Sequence, residues 1–396
     1  MRFKEKLFEK QSVFVYRLTR DHFKEYILKY YIIAGERSGD LHGASLMREL
    51  KNQDPEAVFR CWGGDMMQQV GGELVRHYKD MAFMGFIEAA ANLPTIVRFL
   101  KECKADILQF KPDVVILVDY AGFNLRIAKF AKVQGIKVFY YISPKIWAWN
   151  QGRVHNIKKI VDRMFVILPF EEEFYERFDY KVDYIGNPIS DTVKAHLPST
   201  DFISRNKLNN KPIIAVLPGS RKQEIERILF IMLSVLPAFR EYQFVVAAVS
   251  NLSQDYYENF NRDSNIKIVY DQTYDLLGHA QAALVTSGTA TLETALFNVP
   301  QVVCYTTSFI SYWIGRSVIK VPYISLVNLI ANKTVVKELI QNELTGRNII
   351  AELKKILFDK TYIRQQMEGY QALREKLGEA NAAAKAAQLM VGYLKA

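Results

Sequence analysis

Four segments of the chain combine reactive residue types with a spacing that would aim them. AGERSGDLHG (34–43) follows directly on the apolar run YYIIA. Gly35 and Gly39 permit a tight turn and close approach, and a helix start just beyond favours an anion. The glycines are four apart, so this is not GxGxxG, and Glu36 would repel a pyrophosphate. Two uses stay open: an anion-binding turn, or an ordinary strand-to-helix turn with Asp40 as the helix cap. In VVILVDYAGFN (114–124), five apolar residues end on Asp119. A carboxylate at a strand end, in partly apolar surroundings, can hold a raised pKa and act as a general base. The alternative is an N-cap for a helix starting near Phe123.

LPGSRKQE (217–224) makes a tight turn at Gly219 and Ser220 that exposes backbone N–H groups. Arg221 then offers a fork that binds a diphosphate in two places; otherwise it is a solvated arginine on a surface turn. In LVTSGTATLETALFNVP (284–300) a strand ends at Thr286 and a helix follows. The N–H groups of Ser287, Gly288 and Thr289 face where a phosphate would sit. Glu293 lies about one helical turn beyond Thr289, where it could accept both ribose hydroxyls of a nucleotide. The plainer alternative is a capped helix with an exposed glutamate.

Such turns act together only if strands hold them at one edge, because ligands of open parallel sheets bind beyond the carboxyl ends of the strands. From Tyr30 short apolar runs alternate with stretches of helical period: YYIIA (30–34), AVFRCW (57–62), VVILVD (114–119), KVFYYIS (137–143) and MFVIL (164–168). Continuous Val/Ile-rich runs predict strands buried on both faces. A second series opens at PIIAVLPGSR (212–221) and continues through FVVAAVS, IKIVY, AALVTSGT and QVVCYTT. Two such series predict an α/β chain of two doubly wound, Rossmann-like domains, 29–188 and 189–360. The stretch 186–211, rich in Pro, Ser and Asn, reads as the linker. Residues 361–396 read as two helices broken near Gly378, the last expected to pack back on the first domain.

Composition bounds the partners. With 396 residues the chain suits two or three domains, and 49% hydrophobic with 24% charged residues excludes a mainly disordered chain. A formal net charge of +10 suits nucleic acid, an anionic membrane surface or a phosphorylated substrate. Cys61, Cys103 and Cys304 form no CxxC pair, pointing to a reducing compartment. No apolar run approaches the ~20 residues that span a bilayer, and the start of the chain is too charged for a secretory signal; a cytoplasmic protein is expected. There is no DxD, so a sugar-nucleotide enzyme built on these turns would use no Mg²⁺ or Mn²⁺ clamp. The histidines lack zinc-site spacing, and no recognisable nucleic-acid motif accompanies the basic excess. No metal and no cofactor are expected.

Three stretches stand apart. Residues 1–28 lie outside the β/α alternation; residues 1–29 carry eight basic and four acidic residues, +4 of the +10. They read as a membrane-binding segment, a solvated appendage or a misassigned start. The stretches 81–100 and 309–322 are either core or a lipid-facing surface with Arg316 and Lys320 near phosphates.

Taken in order, the motifs closely resemble the lipid-A-disaccharide synthases, inverting glycosyltransferases of GT-B fold. The resemblance runs from about Lys29 to the C-terminus through AGERSGDLHG, FMGFIE, KPDVVILVDYAGFN, YYISPKIWAWNQGRVHNIKK, LPGSR-QE, SGTATLE and YISLVNLIA. SPKIWAW (143–149) is the most diagnostic piece. The resemblance implies two Rossmann-like domains facing a central cleft. It implies a UDP-2,3-diacylglucosamine donor and a 2,3-diacylglucosamine 1-phosphate acceptor, joined to a β-1,6 disaccharide 1-phosphate with release of UDP.

Carried over onto this sequence, the resemblance implies Asp119 as the essential strand-end acid and Glu36 as the loop acid that orients or deprotonates the acceptor. Ser38, Gly39 and Asp40 would support the acceptor or its loop. Gly219, Ser220, Arg221, Ser287, Gly288 and Thr289 would hold the diphosphate, Glu293 the ribose, and Asn328 the donor. The chain departs from the family pattern at Gly122, where a second acid is common, and at Val327, which replaces a proline and is expected to loosen its loop. Peripheral contact with the inner membrane is expected, no nucleic acid, and a helical tail suited to exchange in a homodimer. The competing reading is an isomerase like UDP-N-acetylglucosamine 2-epimerase on the same fold; SPKIWAW and the 81–100 stretch speak against it.

Overall fold

A computed structural model describes residues 27–81, 93–260, 266–307 and 321–396. Residues 1–26 and most of the stretches 81–92 and 309–322, including FMGFIE, Arg316 and Lys320, lie outside the described residues. Among the described residues, no helix is long and apolar enough to cross a membrane.

The first β/α series forms β1 (Lys29–Ala34), β2 (Val58–Gly63), β3 (Glu73–His77), β4 (Val114–Val118), β5 (Lys137–Tyr141), β6 (Arg163–Val166) and β7 (Asp183–Tyr184). They make a seven-stranded sheet in the order β3-β2-β1-β4-β5-β6-β7. The second series forms β8 (Ile213–Leu217), β9 (Gln243–Ala248), β10 (Ile266–Tyr270), β11 (Ala280–Thr286), β12 (Gln301–Tyr305) and β13 (Lys337–Ile340). Their order is β10-β9-β8-β11-β12-β13. β1 pairs in parallel with both β2 and β4, and β8 with both β9 and β11. The winding therefore reverses between β1 and β4 in one sheet and between β8 and β11 in the other. A reversal of this kind opens a crevice at the carboxyl ends of the two strands that flank it. The four motifs with chemical potential follow these four strands.

Both faces of the second sheet are packed. Ile214 and Val216 of β8 join one buried apolar cluster, while Ile213, Ala215 and Leu217 join another. This two-residue alternation between two cores is why the strand reads as one continuous apolar run. β3, β7 and β13 escape the sequence pattern because they are edge strands whose residues are mostly only partly buried, and their sequences ELVRH, DY and KELI carry charge; the fourth edge strand, β10, is apolar enough to be read.

By compactness the described chain divides into two units. One holds residues up to Ile142 with Lys159–Arg163 and Ala383–Ala396; the other holds Ser143–Lys158 and Met164–Ala382. The stretch expected to be a linker contains two short helices, Pro188–Ala195 and Phe202–Arg205, and Phe202 is fully buried in the second unit's core. The penultimate helix, Lys360–Leu377, stops at Gly378. The last helix, Ala382–Lys395, belongs mostly to the first unit of its own chain. There the Arg163 guanidinium lies 3.8 Å from the centre of the Tyr393 ring, and Lys137 Nζ donates to the Tyr393 carbonyl at 3.0 Å.

The SPKIWAW segment leaves the carboxyl end of β5 and is tied down by a buried acid. Glu171, on the helix Phe170–Glu176, accepts from Ser143 Oγ, from Trp147 Nε1 (3.1 Å) and from the backbone N–H groups of Ile167 (3.2 Å) and Leu168 (2.9 Å). Burial pushes this carboxyl up to about 7, against the pull of those four donors. Its stabilising contribution is thus complete below the ordinary carboxylate pKa and is lost as pH rises through about 7. Glu171→Gln cannot titrate. We expect it to flatten the fall of Tm between about pH 5 and about pH 8; a pH slope equal to that of the parent protein contradicts the assignment.

Candidate active site

In the first unit the helix after β1 spans Arg37–Gln53, starting earlier than the apolar period suggests. Ser38, Gly39 and Asp40 therefore lie in its first turn and not in a loop. Glu36 is the extended residue before the helix (φ −145°, ψ 163°), exposed and making no capping bond. Asp40 does not cap its own helix. It points inward, 2% exposed, and accepts from the backbone N–H groups of Gly64 (2.7 Å), Met66 (3.1 Å) and Met67 (3.2 Å) at the start of the helix Asp65–Gln69. It supports the turn after β2.

Asp119 also differs from the capping alternative. The helix after β4 begins at Ala121 with Tyr120 before it. Asp119 (φ 43°) and Tyr120 (φ 46°) are both left-handed, an arrangement that costs about 1–3 kcal/mol per non-glycine residue. The Asp119 carbonyl accepts from Tyr140 Oη at 2.5 Å and from Asn124 Nδ2 at 2.8 Å. The Asp119 N–H donates to the Tyr141 carbonyl at 3.2 Å. The second residue of this elbow reaches the β1 turn: a β-carbon on Gly35 would sit 2.3 Å from the Tyr120 ring. Only glycine fits there, and the Glu36 and Asp119 turns are packed together through it. Burial, and after it the Glu36 charge, raises the pKa of the Tyr120 hydroxyl. Gly122, where a second acid was a family expectation, is exposed in the first turn of the helix.

In the second unit Gly219 adopts φ +99°, and a β-carbon there would crowd Thr286 at 3.1 Å. The turn after β8 therefore packs against the end of β11, just before its own turn. Ser220 and Arg221 are exposed, and Arg221 rests one edge on Glu224 (3.0 Å). An exposed pair of this kind is worth at most about 1 kcal/mol, less than a bidentate bond to phosphate, so the guanidinium can be re-aimed. Gly288 precedes the helix Thr289–Leu296, whose first N–H groups have no partner within the helix. Ser287 Oγ donates to the Ile324 carbonyl at 2.8 Å. Glu293 is not the exposed residue of the plainer alternative. Burial raises its carboxyl pKa, and Tyr274 Oη donates to it at 2.9 Å.

Asn328 lies inside the fold. Its side chain is fully buried and saturated within the protein. It donates to the Val336 carbonyl and to Glu338, both at 2.9 Å, and accepts from the N–H groups of Val335 (2.8 Å) and Val336 (3.0 Å). Val327 precedes it in the same segment. It is buried, and Glu338 holds the segment through Ile324 N, Ser325 N, Ser325 Oγ and Asn328 Nδ2.

Sequence reasoning missed Asn124, Tyr140, Tyr274, Glu171 and Glu338. Asn124 alone left a signal, a polar residue one turn into the helix after Asp119. The others lie in ordinary strand or helix patterns, and their partners are distant in sequence. Asn328→Ala should strand the Val335 and Val336 N–H groups and cost about 2–4 kcal/mol, read as a lower Tm. A normal Tm with lost donor affinity would favour Asn328 as a direct ligand.

The family model described as Lipid-A-disaccharide synthetase matches residues 30–391. The lipid-A-disaccharide synthase of Syntrophus aciditrophicus is 40% identical over 372 residues, covering 92% of this chain and 97% of its own. That of Myxococcus xanthus is 38% identical over 370 residues, with the same coverage. Among solved structures, the UDP-GlcNAc 2-epimerase from Neisseria meningitidis bound to UDP-GlcNAc has a TM-score of 0.65 at 14% identity, covering 93% of this chain and 100% of that one. The glycotransferase of kitacinnamycin has a TM-score of 0.65 at 13% identity, covering 93% and 99%. Likeness at that identity is a likeness of fold, here of GT-B type. The match over residues 30–391 and the two curated relatives go further: this chain belongs to the lipid-A-disaccharide synthetase family.

Proposed function

We propose that this glycosyltransferase joins UDP-2,3-diacylglucosamine to the 6-hydroxyl of 2,3-diacylglucosamine 1-phosphate with inversion at the anomeric carbon. The products are the β-1,6-linked disaccharide 1-phosphate and UDP. The observation that carries the reading is Asp119, held in a left-handed elbow where the winding of the first sheet reverses. In this mechanism its carboxylate takes the acceptor hydroxyl proton as O6 attacks the anomeric carbon. The bond from that carbon to the diphosphate oxygen breaks, and its electron pair leaves with UDP. Glu36, packed beside the elbow through Tyr120 and Gly35, orients the acceptor.

The charge arriving on the departing UDP needs preorganised donors. Arg221 with the turns at Gly219–Ser220 and Ser287–Thr289 supplies them in this reading, and Glu293 takes the ribose. Asp40 acts one step back, through the turn after β2, with Ser38 and Gly39 in the helix turn beside it. We assign acceptor activation to residues 29–188 and donor binding to 189–360, with the helices of 361–396 as a tail. The formal charge of +10 supports peripheral contact with an anionic inner leaflet from the cytoplasmic side, where two acylated substrates would reside.

The test is incubation of the purified chain with both substrates and mass spectrometry of the lipids. A tetraacyl disaccharide 1-phosphate is expected, dependent on acceptor. Conversion of the UDP-sugar to its epimer without acceptor would favour the isomerase. Asp119→Asn should lower turnover by at least about 10²-fold and leave donor binding within error. Retained turnover rejects Asp119 as base.

A further inference from the structure

The Asp119–Tyr120 elbow contains no glycine, yet both residues are left-handed. Asp visits that region with modest reluctance and Tyr rarely. Something must therefore hold the turn. Two fully buried side chains grip the backbone at Asp119 and just before it. Asn124 Nδ2 donates to Val118 O at 3.2 Å and to Asp119 O at 2.8 Å, and Tyr140 Oη donates to Asp119 O at 2.5 Å. Asn124 also closes the first helical turn, its N–H donating to the Tyr120 carbonyl at 3.1 Å.

The Asn124 amide orientation follows from this pairing, because its oxygen would repel both carbonyls if the group were flipped. That oxygen is buried and has no hydrogen-bond partner among the described residues. Among the described residues the side chain thus leaves an acceptor unsatisfied while its donor contacts go to Asp119 and to Val118 just before it, a poor bargain for helix packing alone.

We propose that Asn124 and Tyr140 are positioning residues for transfer, holding the Asp119 backbone so that its carboxylate meets the acceptor hydroxyl. The inference rests on Asp119 being the base. Neither residue touches substrate in this account; each acts through the Asp119 carbonyl. The two come from different elements, the helix after β4 and the neighbouring strand β5, so one strand end and one helix start must both be in place for the elbow to form.

The test compares Asn124→Ala, Tyr140→Phe and Asp119→Asn in the full chain, measuring kcat per donor-binding site, donor KM, the pH profile of kcat and Tm. Tyr140→Phe removes one oxygen and is expected to fold. For the two positioning variants we expect kcat to fall on the order of tenfold to a hundredfold, with donor KM unchanged and the acidic limb of the profile moved. A merely structural role would lower the fraction of sites that bind donor and leave the limb in place; that result overturns the proposal. So does a kcat within about twofold of the parent in Tyr140→Phe, whatever Asn124→Ala does. If Asp119→Asn keeps the parent rate, the base assignment itself falls. If Asp119→Asn is inactive and the other two variants are normal, only the positioning proposal falls.

Discussion

In a parallel sheet every loop that follows a strand emerges at the same edge, and reversing the winding direction parts two neighbouring loops to leave room for a ligand. This chain uses that constraint twice. β1 and β4 flank one reversal, β8 and β11 the other, and each of the four strands delivers one motif. The strand ends touch within each pair: Tyr120 lies over Gly35 in the first sheet, and Thr286 lies against Gly219 in the second. In both, a glycine makes room for a side chain at the end of the partner strand or just beyond it. The strand order therefore brings together residues more than sixty positions apart in the sequence.

Holding such turns in place demands polar anchors, because loops lack the ladder bonds of strands. The chain meets the demand with carboxylates. Asp40 collects three backbone N–H groups under the turn after β2. Glu171 collects four donors, two of them from the SPKIWAW segment. Glu338 collects four around Ser325 and Asn328, and the Ile324 carbonyl in the same segment takes the Ser287 hydroxyl. Withdrawing a carboxylate from water is costly unless hydrogen bonds replace the lost solvent, and each of these has several. At Asp119 the arrangement is inverted: side-chain donors from Asn124 and Tyr140 bind the backbone carbonyl.

Much of this was legible in the sequence. Central strands buried on both faces announce themselves as apolar runs, and the glycine-bearing turns after them carry local signals. The edge strands β3 and β13 do not, because ELVRH and KELI are mostly only partly buried and mix charge with apolar residues. A helix start is hidden where a polar side chain turns inward: RSGD reads as loop, yet it is the first helical turn, with Asp40 committed to another helix. Asn328 shows the converse: a polar residue in a recurring motif is also a buried tie whose partners lie up to ten residues away, which the motif does not announce. Tyr274 and Glu338 have no local signature at all, since what they do depends on a partner that only the fold supplies.

The central claim is that the elbow after β4 presents the Asp119 carboxylate to the acceptor. A crystal structure of the enzyme with UDP and the acceptor bound tests it most directly. The account predicts an Asp119 carboxylate oxygen about 2.6–3.2 Å from the acceptor 6-hydroxyl, with the left-handed turn intact. A complex in which Asp119 faces away and Glu36 or another group holds that hydroxyl would contradict it.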